Sequence, residues 1–141
     1  MKRSRLPLVV AALVVATACG NSDEPKPEAA PCRIPAASDR AGLVPDDLGL
    51  AEHGTITAAD RHGRRLRATL VTDTTIVELY PPLARRLFDS RYTIVSGENE
   101  GTDAEIFFAR GPISGVYLMR QGPCGDLVTL TLDYVRERKS S

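Results

Sequence analysis

Asp103–Arg136 reads DAEIFFARGPISGVYLMRQGPCGDLVTLTLDYVR, and this stretch decides the fold. Ala104, Ile106 and Phe108 form one apolar row and Val128, Leu130, Leu132 and Tyr134 another. Both have the two-residue period of strands that bury a single face. Arg110–Pro112 and Gly122–Gly125 punctuate them, and the connections are short enough for hairpins. The expected strands are Asp103–Ala109, Ile113–Gln121 and Asp126–Arg136. Working towards the amino end, a third turn cluster at Asn99–Thr102 sets off Tyr92–Glu98 as the first strand of an antiparallel meander. Ahead of it, Ile76, Tyr80, Leu83 and Leu87 follow at offsets of four, three and four, one stripe of a helix with Asp73 as its N-cap. Pro81 and Pro82 fall inside that stripe. They remove two donors and push the preceding residue out of the helical region, which predicts a kink or two short helices ending near Ser90.

Before the helix, Arg64–Thr72 alternates Leu66, Ala68 and Leu70 with Arg65, Arg67 and Thr69, and Thr55–Asp60 is a weaker strand beyond a turn at His62 and Gly63. The expected order is ββαββββ, an α+β fold with one antiparallel sheet of about six strands and one kinked helical segment on a single face. The domain is expected over 38–136, opening on an irregular lead-in around Leu43–Leu48, with a disordered tail over 137–141.

The amino end is of a different kind. Lys2, Arg3 and Arg5 precede an apolar run, Leu6–Val15, broken only by Pro7, as a secretory signal requires. Leu6–Cys19 is too short for the roughly 20 residues a membrane-spanning helix needs. Val15, Ala16, Thr17, Ala18, Cys19 and Gly20 resemble the lipobox of bacterial lipoproteins, with Ala16 where leucine is commonest. The resemblance implies removal of 1–18, a diacylglycerol on Cys19 and a place on the outer face of the cell membrane. Ala16–Thr17–Ala18 is also an AxA cleavage site, and cleavage there would release a soluble protein. Residues 19–37 carry Pro25, Pro27, Pro31 and Pro35 among polar and small neighbours, which reads as a tether reaching on the order of 50 Å when extended.

The chain has three cysteines. Acylation of Cys19 would leave Cys32 and Cys124 free to pair without ambiguity in an oxidising compartment. Closing so long a loop is worth about 4 to 5 kcal/mol in the chain-entropy account. Two buried free thiols are the alternative. The absence of any CxxC or Cys/His pattern gives no reason to expect redox chemistry or zinc.

Loss of the three leading basic residues leaves 15 Lys and Arg against 18 Asp and Glu, a balance that argues against nucleic acid as a partner. No glycine-rich phosphate loop, HExxH or nicotinamide fingerprint appears, so no cofactor is expected. Ser114 lacks the nucleophile elbow, since Pro112 and Val116 stand where glycines are needed. His53 and His62 lack a third ligand and read as surface residues. Glu98, Glu100, Asp103 and Glu105 surround a turn and offer oxygen ligands to a hard cation, but do not match the EF-hand spacing; a solvated hairpin accounts for them as well.

Two features point to binding. The run Arg61–Arg67 is the strongest local charge, suited to anionic headgroups or wall polymers, or to guarding a sheet edge against pairing. The sheet face opposite the helix is expected to carry Phe107, Val116 and Leu118 beside Arg65, Arg67 and Arg120, unless the lead-in 38–53 covers it. The helix, Arg91 and Tyr92, the acidic Ser96–Glu105 hairpin and the late cysteine are similar to small lipoproteins of unknown function from GC-rich Gram-positive bacteria, a likeness that implies no activity. The expected function is a membrane-anchored, non-catalytic, monomeric envelope module that binds a protein or wall polymer. A carrier or sensor of a small amphiphile on the open face is the alternative, and a hydrolase comes third.

Overall fold

The structure is a computed structural model and describes residues 32–138. The expected signal segment 1–18, Cys19, most of the tether and the end of the tail lie outside the described residues. Six strands, β1 (Thr55–His62), β2 (Arg65–Thr72), β3 (Thr93–Asn99), β4 (Asp103–Arg110), β5 (Ile113–Gln121) and β6 (Val128–Arg136), form one open antiparallel sheet in the order β1-β2-β6-β5-β4-β3. The single helix, α1 (Ile76–Asp89), packs against one face. This is the α+β architecture expected. Because the β4–β5–β6 meander fills the middle of the sheet, α1 carries the chain from β2 to the far edge.

The alternating rows do what their period requires. Leu66, Ala68, Leu70, Ala104, Ile106, Phe108, Tyr117, Met119, Leu130, Leu132 and Tyr134 share the face under α1 and are buried in one core. Phe108 stands edge-on to Tyr92, with ring centroids 5.2 Å apart. Its ring also occupies the space over Gly115, where a Cβ would lie 2.4 Å from Cζ. Burial holds the Tyr117 phenol far above its ordinary pKa, and its hydroxyl donates to the Leu48 carbonyl at 3.2 Å.

Several local expectations are corrected. The N-cap is Thr75 rather than Asp73: its hydroxyl accepts from the Glu78 amide and donates to the Glu78 carboxylate. The helix runs unbroken through Pro81 and Pro82. The carbonyls those prolines leave without donors belong to Val77 and Glu78, both exposed, so water can serve them. Leu79 joins Ile76, Leu83 and Leu87 in the buried stripe, while Tyr80 is only half-buried. At the other end of the chain the Glu137 amide donates to the Pro112 carbonyl at 2.7 Å, so the expected disordered tail does not begin at 137.

The lead-in forms three single 3-10 turns, Ala41–Leu43, Asp46–Leu48 and Leu50–Glu52. Leu48 and Leu50 enter the core beside α1. Asp47 ties the arrangement together: its Oδ2 accepts from Arg110 at 2.7 Å and from the Tyr92 hydroxyl at 3.2 Å, and its carbonyl accepts from Ser90. The lead-in therefore shares the helix side of the sheet, and the opposite face is not covered by it.

Cys32 and Cys124 form a disulfide with Cα atoms 5.5 Å apart. From there the chain runs as an irregular strap to Ser38, whose amide donates to the Ile56 carbonyl at the β1 edge. At the end of β2, Val71 is buried although the register puts it on the open face.

Candidate binding face and its basic end

Strand register places the expected residues on the open face together. Arg65 and Arg67 lie on β2, Val116, Leu118 and Arg120 on β5 and Phe107 on β4, with Phe107 directly opposite Val116. Between β2 and β5 lies β6, which puts Asp133 opposite both Arg67 and Val116. Arg65 grips Asp133 with two donors, Nε to Oδ1 at 2.7 Å and Nη2 to Oδ2, and Arg67 Nη2 reaches Oδ2 at 3.1 Å. The Arg65 hydrogen bond holds the Asp133 carboxyl below its ordinary pKa; partial burial opposes that and Arg67 adds to it. Asp133 thus fixes two guanidinium groups while leaving most of each in water.

Across this face the chemistry changes sharply. Ala58, Asp60, His62, Arg65, Arg67 and Thr69 line an open depression of about 370 Å³ on the β1–β2 side. The middle is apolar, with Val116 and Leu118 half-buried and Phe107 38% exposed. The β3–β4 side is acidic: Glu98 stands opposite Glu105, and Asp103 meets Arg120 at 3.7 Å. Arg120 is therefore separated from the Arg65–Arg67 pair and belongs electrostatically to the acidic hairpin. Among the described residues no three His, Cys, Asp or Glu side chains converge as cation ligands.

The same polarity runs along the strands. Arg61, Arg64 and Arg136 surround a hollow of about 240 Å³ with Gly63, Pro45 and Tyr134, and no acid lines it. Arg64 and Arg136 are brought together because the Arg136 amide donates to the Arg64 carbonyl. The basic run Arg61–Arg67 is visible in the sequence, but Arg136, far along the chain, joins it only through the β2–β6 pairing. At the opposite end stand Asp73, Glu100, Asp103 and Asp126, beside the turn that holds Cys124. His62 borders the open depression, whereas His53 follows the last 3-10 turn at the far end of β1.

Another depression, about 380 Å³, lies among the lead-in turns, Ile56 and Arg86. Asp47, a half-buried carboxylate engaged by the Tyr92 hydroxyl, lines neither depression nor the arginine hollow. Compared with protein-family models, with curated proteins and with solved structures, the chain matches none.

Proposed function

We propose that this chain is an exported lipoprotein, acylated at Cys19 and held on the outer face of the cell membrane, whose domain is a non-catalytic binding module for an anionic envelope polymer or an acidic protein. The observation that carries the reading is the separation of charge along the strands. The covalent attachment of Cys32 enters at the acidic end, and the arginines of the hollow and of the Arg65–Arg67 pair lie towards the other. A domain attached through the Cys124 turn carries those guanidinium groups at the end of the sheet away from that turn, and bidentate recognition of phosphate or carboxylate suits arginine.

A second reading is favoured by the open depression at Arg65 and Arg67 on the same face as the apolar rows of β5: a small acidic amphiphile would lay its head on Arg65 and Arg67 and reach across β6 with its tail towards Val116 and Leu118. Native mass spectrometry of the protein extracted in mild detergent, without reductant, tests both. A mass beginning at Cys19, with acyl chains and less two hydrogens, is expected for the anchor and the disulfide. A bare chain in the soluble fraction overturns the anchor. Added mass of lipid size favours the amphiphile. Binding to isolated envelope that falls steeply with salt, and is lost in Arg64→Glu/Arg136→Glu, favours the polymer or protein.

A further inference from the structure

The two edges of the sheet are treated differently. At the β1 edge Ser38 takes up the Ile56 carbonyl, Arg40 pairs with Asp60 and Arg61 reaches the Leu43 carbonyl, so strap and lead-in hold the strand at three points. At the other edge all seven residues of β3 are exposed, including Ile94 at 40% and Val95 at 67%. A bulge between Ile94 and Ser96 and the single charge of Glu98 interrupt this edge, and the strand contains neither lysine nor proline.

The helix adds an apolar ledge above this edge. Arg86 faces the lead-in, reaching Glu52 and the Asp46 carbonyl, while Tyr80 on the opposite flank lies over Gly97 of β3, where a Cβ would be 2.3 Å from its hydroxyl. Beyond Tyr80 on that flank, Val77, Pro81, Ala84 and Phe88 share a face at helical spacing. Val77 is 60% and Phe88 72% exposed. The tyrosine contact also shows that α1 and β3 run antiparallel, with Phe88 towards the start of β3 and Val77 towards its end.

Charge completes the pattern. Arg91 stands just before β3, and Glu98 and Glu100 stand at its far end; none of the three makes an ion pair among the described residues. We propose that β3 is a dimerisation edge that pairs antiparallel with β3 of a second copy of this chain. Antiparallel pairing about a dyad near Val95 sets Arg91 of each copy against the Glu98–Glu100 end of the other. A parallel arrangement would set like against like. The same dyad brings the two helices together antiparallel on one face, with Val77 of one facing Phe88 of its partner across the small Ala84. Such an interface is self-complementary, and a dyad that pairs β3 with β3 closes at two copies. This arrangement is the alternative to the monomer expected from the sequence.

The test is sedimentation velocity of the full chain across a concentration series, in density-matched detergent where the chain is acylated. A mass of two copies at high concentration is expected. Arg91→Glu should raise the dissociation constant about tenfold at low salt, since it sets like charges against each other. Adding Glu98→Arg and Glu100→Arg to that variant should restore it. Val95→Lys should abolish the dimer, with a melting curve that matches the wild-type chain at concentrations below dimerisation, and Phe88→Glu on the helix ledge provides the same test without altering the strand. A single-copy mass at every concentration overturns the proposal. So does a dimer indifferent to all these substitutions, an open-ended oligomer, or a complex in which a different protein occupies β3.

Discussion

Phe107 and Phe108 are neighbours in β4, yet one is 38% and the other 1% exposed, and the two faces of the sheet differ as these residues do. On the helix side every row ends in contact with α1 or the lead-in, so stability there comes from area removed from water and from close packing. On the open side the rows mix arginine, aspartate, threonine and a few apolar groups, and the energy that holds them is local and screened. A residue's contribution therefore depends on parity before it depends on type.

The largest break in that comparison should come from Phe108→Ala, which empties the space between Tyr92, Tyr117 and Gly115. A loss of about 3 to 5 kcal/mol is expected in urea denaturation, against less than about 1 kcal/mol for Phe107→Ala. Equal losses would mean that the open face is covered in solution. Next comes the covalent bond. Cys32→Ser with Cys124→Ser should cost about 2 to 4 kcal/mol, and amide exchange should quicken first at Ile56 and its β1 neighbours.

Asp133→Asn probes the strongest polar contact of the open face, and a loss of about 1 kcal/mol is expected at neutral pH. Because the native carboxyl titrates below its unfolded value, its contribution is full above the ordinary aspartate pKa of about 3.9 and disappears as the pH falls through the lowered native one. Wild-type and Asp133→Asn stabilities should therefore converge in acid, and a gap that persists there would mean that shape rather than charge holds the pair. Smallest of all, Arg40→Ala should change stability by less than about 0.5 kcal/mol, as both partners of that ion pair are well exposed. A larger effect would show that the strap depends on it.

Parity was legible in the sequence wherever burial is one-sided. It gave the strand set, the helix and the membership of the open face, including Arg65, Arg67, Phe107, Leu118 and Arg120. What it could not supply was register. Asp133 is outward by the same parity that turns Leu132 and Tyr134 inward, but its role depends on lying opposite Arg67, and Arg136 becomes part of the arginine hollow for the same reason. Thr75 and Asp73 are equally good caps by chemistry, and only the position of Glu78 distinguishes them. Pro81 and Pro82 predict a kink or a break from sequence alone, but the cost of a missing donor depends on whether water reaches the orphaned carbonyl, which only the packing decides. The lead-in has no period to read, since each of its turns is three residues long and its leucines enter the core singly.

The disulfide also determines how the domain would meet a mechanical load. A pull on the chain ahead of Cys32 enters through Cys124, between β5 and β6, both of which have a strand on either side. The force is then shared along several ladders at once and resisted in shear. Were the bond absent, the same pull would arrive at Ser38, break its contact with Ile56 and peel β1 from the sheet one hydrogen bond at a time. Reduction would thus convert an attachment that yields abruptly into one that opens gradually from the edge, a difference a pulling experiment reads directly as rupture force.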